Sequence, residues 1–206
     1  MRLLKLNAEL ESMARPKNNR NPMGSVRIVG GRWRGRRLPV LQREGLRPTG
    51  DRQRETLFNW LQGVLPESKC LDLFAGSGAL GLEALSRGAQ SLQAVELDRE
   101  AALQLQDNIR LLEAQAKVFQ GDWQDFLRAD GSSYDVVFLD PPFAKQLLNK
   151  VIPLVDRNLS KAAWVYLEDD SSHQPPQWPE RWQLKKEKIS GGTVVRLFQV
   201  ISRDTC

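Results

Sequence analysis

Apolar residues in this 206-residue chain fall into short unbroken runs that alternate with stretches of helical spacing. Val136-Val137-Phe138-Leu139 has no polar alternate, which is how a strand covered on both faces reads. Cys70 to Phe74, Ser91 to Glu96, Ala116 to Phe119 and Ala162 to Glu168 read as companion strands. Between them lie a helix from Ala79 to Arg87 closed by Gly88, a helix capped by Asp98 and running to about Glu113, a short one from Trp123 to Leu127, and one from Leu147 to Val155 disturbed by Pro153. Upstream, Leu57, Phe58, Trp60, Leu61, Val64 and Leu65 stripe a helix that follows a turn over 46–51, with Asp51 or Thr49 as its cap. Trp182 to Ile189 and Thr193 to Ile201, joined at Gly191-Gly192, read as an antiparallel hairpin. At the front, Val26 to Val29 alternates, Gly30-Gly31 turns, and Arg32 to Leu38 returns, which predicts a basic β-hairpin. The whole pattern predicts an α/β protein with a doubly wound, mostly parallel sheet and an antiparallel C-terminal hairpin.

Composition divides the chain further. Residues 1–54 hold 14 Lys and Arg against 4 Asp and Glu, while the remainder is net acidic. A basic front on an acidic body is the footprint of a polyanion-binding surface confined to one part of the molecule. Residues 1–24 are polar and read as a disordered tail, 25–50 as a basic hairpin and turn suited to RNA contact, and 51–206 as the α/β body. Arg32, Trp33, Arg34 and Arg36 interleave cations with an aromatic, as phosphate contact and base stacking require. Arg52 and Arg54, in the first turn of a helix, sit where cations are disfavoured, which suits an anionic ligand, although the neighbouring Glu55 or plain exposure is the commoner explanation. No apolar run reaches the ~20 residues of a membrane span, no secretory leader is evident, and Cys70 and Cys206 suggest neither a disulfide nor a metal site. A cytoplasmic monomer is the expectation. His173, the sole histidine, lies in a Ser/Pro/Gln-rich loop and reads as a surface residue.

Two segments carry chemistry. Asp140-Pro141-Pro142-Phe143 stops the strand 134–139 and leaves a carboxylate at its carboxyl end, where open α/β sheets bind ligands. Asp140 and the Pro141 carbonyl are acceptors for an exocyclic NH2 group, and Phe143 offers a ring to stack upon, although a strand-ending turn with a core Phe has the same letters. Gly76-Ser77-Gly78-Ala79-Leu80-Gly81 is a G-x-G-x-x-G turn, with Glu96 twenty residues after Gly76. By itself this fits a nicotinamide dinucleotide. Asp72, inside the preceding strand, suits an ammonium group better than a pyrophosphate, and hydride transfer has no evident use for Asp-Pro-Pro-Phe.

Asp72-Leu-Phe-Ala-Gly-Ser-Gly78, Glu96 and Asp140-Pro-Pro-Phe143 together resemble class I S-adenosylmethionine-dependent methyltransferases that modify exocyclic amines. With Arg27 to Arg36 and Arg47 to Trp60, the chain is similar to the RsmD family of bacterial 16S rRNA guanine-N2 methyltransferases, of the guanine 966 type, over about residues 25–200. The resemblance implies that 51–206 is a methyltransferase domain with a Rossmann-like sheet and S-adenosylmethionine as cofactor. It implies that Gly76, Gly78 and Phe74 lie against the cofactor, Asp72 faces its ammonium, Glu96 its ribose, and Asp122 and Trp123 its adenine, although Asp122 also reads as a helix cap. Asp140, Pro141 and Phe143 become the catalytic set, with Pro142 and Arg47 beside the substrate. The implied partner is 16S rRNA in a partly assembled small subunit, and no metal is required. Residues 1–24 lie outside the match. Other readings are an adenine-N6 or other nucleic-acid amino methyltransferase, which Asp-Pro-Pro-Phe does not separate from a guanine enzyme, a nicotinamide oxidoreductase, and a non-catalytic RNA-binding assembly protein. A pyrimidine-C5 mechanism needs a thiolate, and Cys70 falls at the wrong end of its strand.

Overall fold

The computed structural model describes residues 23–41, 50–143 and 146–202. Most of the predicted tail, with Thr49, Arg47 and Cys206, falls outside them. Two antiparallel strands, β1 (Met23–Arg27) and β2 (Arg37–Leu41), form the hairpin, and helix α1 spans Asp51–Trp60. There follow β3 (Lys69–Asp72), α2 (Ala79–Ser86), β4 (Ser91–Glu96), α3 (Arg99–Leu111), β5 (Ala116–Gln120), α4 (Trp123–Ala129) and β6 (Tyr134–Leu139). Helix α5 (Leu148–Val155), which keeps Pro153 inside it, and strands β7 (Leu159–Asp170), β8 (Trp182–Ser190) and β9 (Thr193–Val200) complete the fold.

The main sheet has the order β5-β4-β3-β6-β7-β9-β8. β3, β4, β5, β6 and β7 are mutually parallel, and β9 runs antiparallel to both β7 and β8. The chain winds outward from β3 through β4 to β5, then returns to place β6 on the other side of β3. The crevice outside the carboxyl ends of β3 and β6 is therefore the topological switch point. β6 is buried on both faces because each face has its own helix layer: Val136 and Phe138 join the cluster under α1, α2 and α3, and Val137 and Leu139 join the cluster under α4 and α5.

The hairpin departs from expectation. Its strand begins at Met23, two residues inside the expected tail, because Met23 pairs with Leu41. Arg32 to Arg36 do not form a returning strand. They lie in a loop that includes a single 3-10 turn at Gly31–Trp33 and is closed by Ile28 and Gly35. Glu83, fully buried on α2, accepts the Val29 and Gly30 N–H groups at 2.7 and 2.8 Å, and Arg87 donates to it at 2.7 Å. Ser86 accepts from Trp33 N–H and donates to the Gly30 carbonyl. Gly31, at φ +75°, passes so close that a Cβ there would meet the Ser86 carbonyl oxygen at 1.9 Å. The loop is clasped to α2, so Trp33 is buried and Arg32 lies over its ring at 3.9 Å. Trp33 thus belongs to the core, and its expected base-stacking role does not fit the packing.

Neither expected cap holds α1, whose N-cap is Gly50 without a side-chain bond. Asp51, not the expected Glu55, ion-pairs with the buried Arg54 at 2.5 Å and with Arg27 at 2.7 Å, so Arg54 is neither exposed nor partnered as its sequence suggested.

Candidate active site

Three turns converge on the switch point. After β3, Gly76 and Gly78 adopt φ of +50° and +77°, and Gly78 N-caps α2. Nothing lies within 4 Å of where a Gly76 side chain would project, so the backbone there faces open space. The turn is held by two carboxylates. Asp72, 2% exposed, accepts the Gly81 N–H at 3.0 Å, and Glu96 accepts from Gly76 N–H at 2.7 Å and from Asp98 N–H at 2.8 Å. Burial pushes the Asp72 carboxyl up to about 7, against the Gly81 N–H that favours its charge, and the nearby Glu96 pushes it further. Asp72 therefore braces the turn from beneath, with Glu96 on its rim.

After β5, Asp122 caps α4 by accepting Gln124 N–H at 2.7 Å, so the capping role is observed. Phe74 and Trp123 meet across this edge with ring centroids 6.2 Å apart. After β6, Asp140 is half-buried, Pro141 buried, Pro142 exposed and Phe143 half-buried. Burial, then Glu168 and Asp72, hold the Asp140 carboxyl well above the usual carboxylate range. A cleft of about 350 Å³ opens beside this turn, lined by Pro141, Pro142, Phe143 and Leu147 and by Asp169 and His173 of the opposite wall. His173 Nδ1 lies 2.8 Å from the buried Asp169 carboxylate, so the histidine is a partnered wall of the cleft.

The structure thus brings Asp72, Phe74, Gly76, Gly78, Glu96, Asp122, Trp123 and Asp140 to Phe143 to one edge of the sheet. Arg32, Arg34 and Arg36 are exposed on the hairpin loop, which is bonded to Glu83 and Ser86 near the C-terminal end of α2, and Arg47 lies outside the described residues. Cys70 is buried and its thiol is pushed up to about 12 by burial, which removes the thiolate a covalent mechanism would need. Sequence reading missed Gln53, Tyr166 and Glu168. Tyr166 donates to Glu168 at 2.8 Å, and Gln53 from α1 hydrogen-bonds to both. A Tyr-x-Glu at a strand end carries no motif; only the register opposite Asp140 reveals it.

Comparison with known proteins adds a family to this geometry. The family model described as Conserved hypothetical protein 95 matches residues 26–199. The ribosomal RNA small subunit methyltransferase D of Escherichia coli is 46% identical over 186 residues, covering 89% of this chain and 94% of that protein. The protein of the same name from Haemophilus influenzae is 48% identical, covering 87% and 96%. A solved structure from Escherichia coli, 44% identical, superposes with a TM-score of 0.82 over 87% of this chain and 100% of its own.

Proposed function

This chain belongs to the Conserved hypothetical protein 95 family, the RsmD family its motifs resemble, and we propose that its site methylates the exocyclic N2 of a guanine in small-subunit ribosomal RNA. The broader activity, S-adenosylmethionine-dependent methylation of ribosomal RNA, goes with the family. Guanine rather than another base is what the resemblance to the RsmD family implies, while the observation that carries transfer to an exocyclic amine is Asp140. Its carboxylate stands at the switch point without a hydrogen-bond donor among the described residues, followed by two prolines that have no N–H to compete for it.

The residues present fit the cofactor. Open space over Gly76 accepts its amino-acid part, and the buried negative charge of Asp72 complements an ammonium through the turn it braces. Each Glu96 oxygen keeps a second lone pair for a ribose hydroxyl, and Asp122 with Phe74 and Trp123 suits an adenine. When bound, S-adenosylmethionine supplies an electrophilic methyl group on a cationic sulfur. Asp140 and the Pro141 carbonyl accept the two amine protons, which draws the nitrogen lone pair out of the ring and aims it at the methyl carbon. The same acceptors stabilise the positive charge that develops on nitrogen. The bound cation and these N–H donors favour ionised Asp140, against the burial that holds its proton in the free protein. Phe143 stacks on the base, which is unstacked from the RNA to reach it. The proton lost after transfer leaves through Asp140 to water. Arg32, Arg34 and Arg36 hold the RNA backbone of a partly assembled small subunit, and the chain acts as a cytoplasmic monomer.

The test is mass mapping of methylated nucleotides in small-subunit ribosomal RNA from cells lacking the gene. One N2-methylguanosine should vanish, return with the wild-type gene, and stay absent with Asp140→Ala. Turnover of that variant should fall about a hundred- to thousandfold with cofactor affinity little changed. Loss of a methyladenosine instead, or full activity of Asp140→Ala, overturns the reading.

A further inference from the structure

Asp-Pro-Pro-Phe grips an amine but does not say which base bears it. The two bases differ at the ring nitrogen beside that amine. In guanine N1 carries a hydrogen and donates, whereas in adenine N1 is a bare acceptor. A guanine site is therefore distinguished by a second acceptor next to the one that takes the amine.

Glu168 occupies that place. β6 and β7 are parallel, with Phe138 opposite Tyr166 and Leu139 opposite Leu167. Asp140 follows Leu139 directly as β6 ends, and Glu168 follows Leu167 in β7, so both carboxylates leave the last pair of this ladder at the carboxyl edge. The two carboxylates also oppose each other electrostatically, since among charged groups Glu168 does most to hold the Asp140 carboxyl above its usual range. Glu168 is 6% exposed and is held from behind: Tyr166, with no exposed surface, donates to Oε2 at 2.8 Å, and Gln53 ties it to α1. Tyr166 is thus a positioning residue that fixes the carboxylate beside Asp140.

Resting on the guanine-N2 reading above, we infer that Glu168 is a specificity-determining residue which accepts the N1–H of the target guanine while Asp140 and Pro141 hold its amine. Opposite adenine the same carboxylate would meet a lone pair and repel it. Two acceptors side by side match the run of N–H donors along guanine's edge, and no other natural base presents that run beside its amine.

The probe is ribosomal RNA carrying 2-aminopurine at the mapped target position. This base keeps the amine of guanine and lacks the N1 hydrogen. The wild-type enzyme should methylate guanine roughly ten- to hundredfold faster than 2-aminopurine. Glu168→Gln should lower the rate on guanine by a similar factor and leave 2-aminopurine unchanged or faster, because the Tyr166 hydroxyl bonds the amide oxygen and turns its NH2 toward N1. Tyr166→Phe, which frees the carboxylate without removing it, should narrow the preference by a smaller factor. Cofactor affinity, measured by calorimetry, should shift less than about twofold in each, which also establishes that the variants fold. Equal loss on both bases would make Glu168 a scaffold and overturn the inference while leaving the guanine-N2 reading standing. An unchanged guanine rate in Glu168→Gln would overturn it too. Methylation of adenine by the wild type would instead remove the reading on which it rests.

Discussion

Asp72 is where the demands of folding and of binding oppose each other at a single side chain. Its carboxyl is raised from 3.8 to about 7 in the folded protein, chiefly by burial. Between those values the native state binds the proton that the unfolded state has lost. The contribution of Asp72 to stability therefore declines as pH rises from about 4 to about 7 and stays lost above that. Asp72→Asn keeps an acceptor for the Gly81 N–H and removes the charge. The variant's melting temperature, relative to wild type, should climb between about pH 4 and pH 7 in the absence of cofactor and level off above, while its cofactor affinity drops. A melting difference that does not vary with pH would show that the buried charge is compensated by something else. Asp72, Glu96 and Asp140 were legible in the sequence because each ends a strand within a recognisable turn. Glu168 and Gln53 were not, since the neighbours they share are brought together by strands and a helix remote in the chain. Trp33 misled for the same reason: among arginines it resembles a stacking platform, and its burial depends on Ser86 and Glu83 of α2.

At the scale of elements, periodicity placed every strand of the main sheet within a few residues. Hydrophobic runs bounded by Gly, Pro and Asp are dictated locally. β7 starts earlier and ends later than its apolar run, reaching Asp170 because it pairs with Thr193 of β9, which no local pattern announces. The hairpin loop was misjudged, since an alternating basic segment looks like a strand until a partner surface captures it. That capture is the basis of a prediction. Glu83 is fully buried, and its carboxylate satisfies two backbone N–H groups and Arg87. Glu83→Ala leaves all three without it and should destabilise the protein by about 3–5 kcal/mol. Trp33→Ala should cost about 3–5 kcal/mol through lost packing. Both variants should speed hydrogen exchange in residues 28–36, read by mass spectrometry. Trp33→Ala that keeps its stability but loses RNA affinity would return that ring to the binding surface.

Across the whole molecule, the clasp gives the basic hairpin a fixed relation to the chemistry. The loop is bonded to Glu83 and Ser86 of α2, whose N-cap Gly78 ends the Gly76–Gly78 turn, and Asn108 of α3 donates to the Pro39 carbonyl of β2. If the loop grips RNA, these bonds hold that RNA relative to the glycine turn. The charge asymmetry visible in the sequence acquires a location here, because Arg32, Arg34, Arg36 and Arg37 are all exposed on or beside this loop. If the loop is the grip, its cations displace counterions from RNA phosphates, and each phosphate contact adds about 0.7 to the salt slope for a single strand. Reversing Arg32, Arg34 and Arg36 to Glu should flatten the slope of log affinity against log salt by about 2. RNA affinity at low salt should fall while cofactor affinity holds, because none of the three residues touches the switch point. Lys185, Lys186 and Lys188, exposed on the edge strand β8, form the natural control. Should their reversal flatten the slope and the arginine reversal leave it intact, the RNA lies across the far edge of the sheet and the hairpin serves the fold alone.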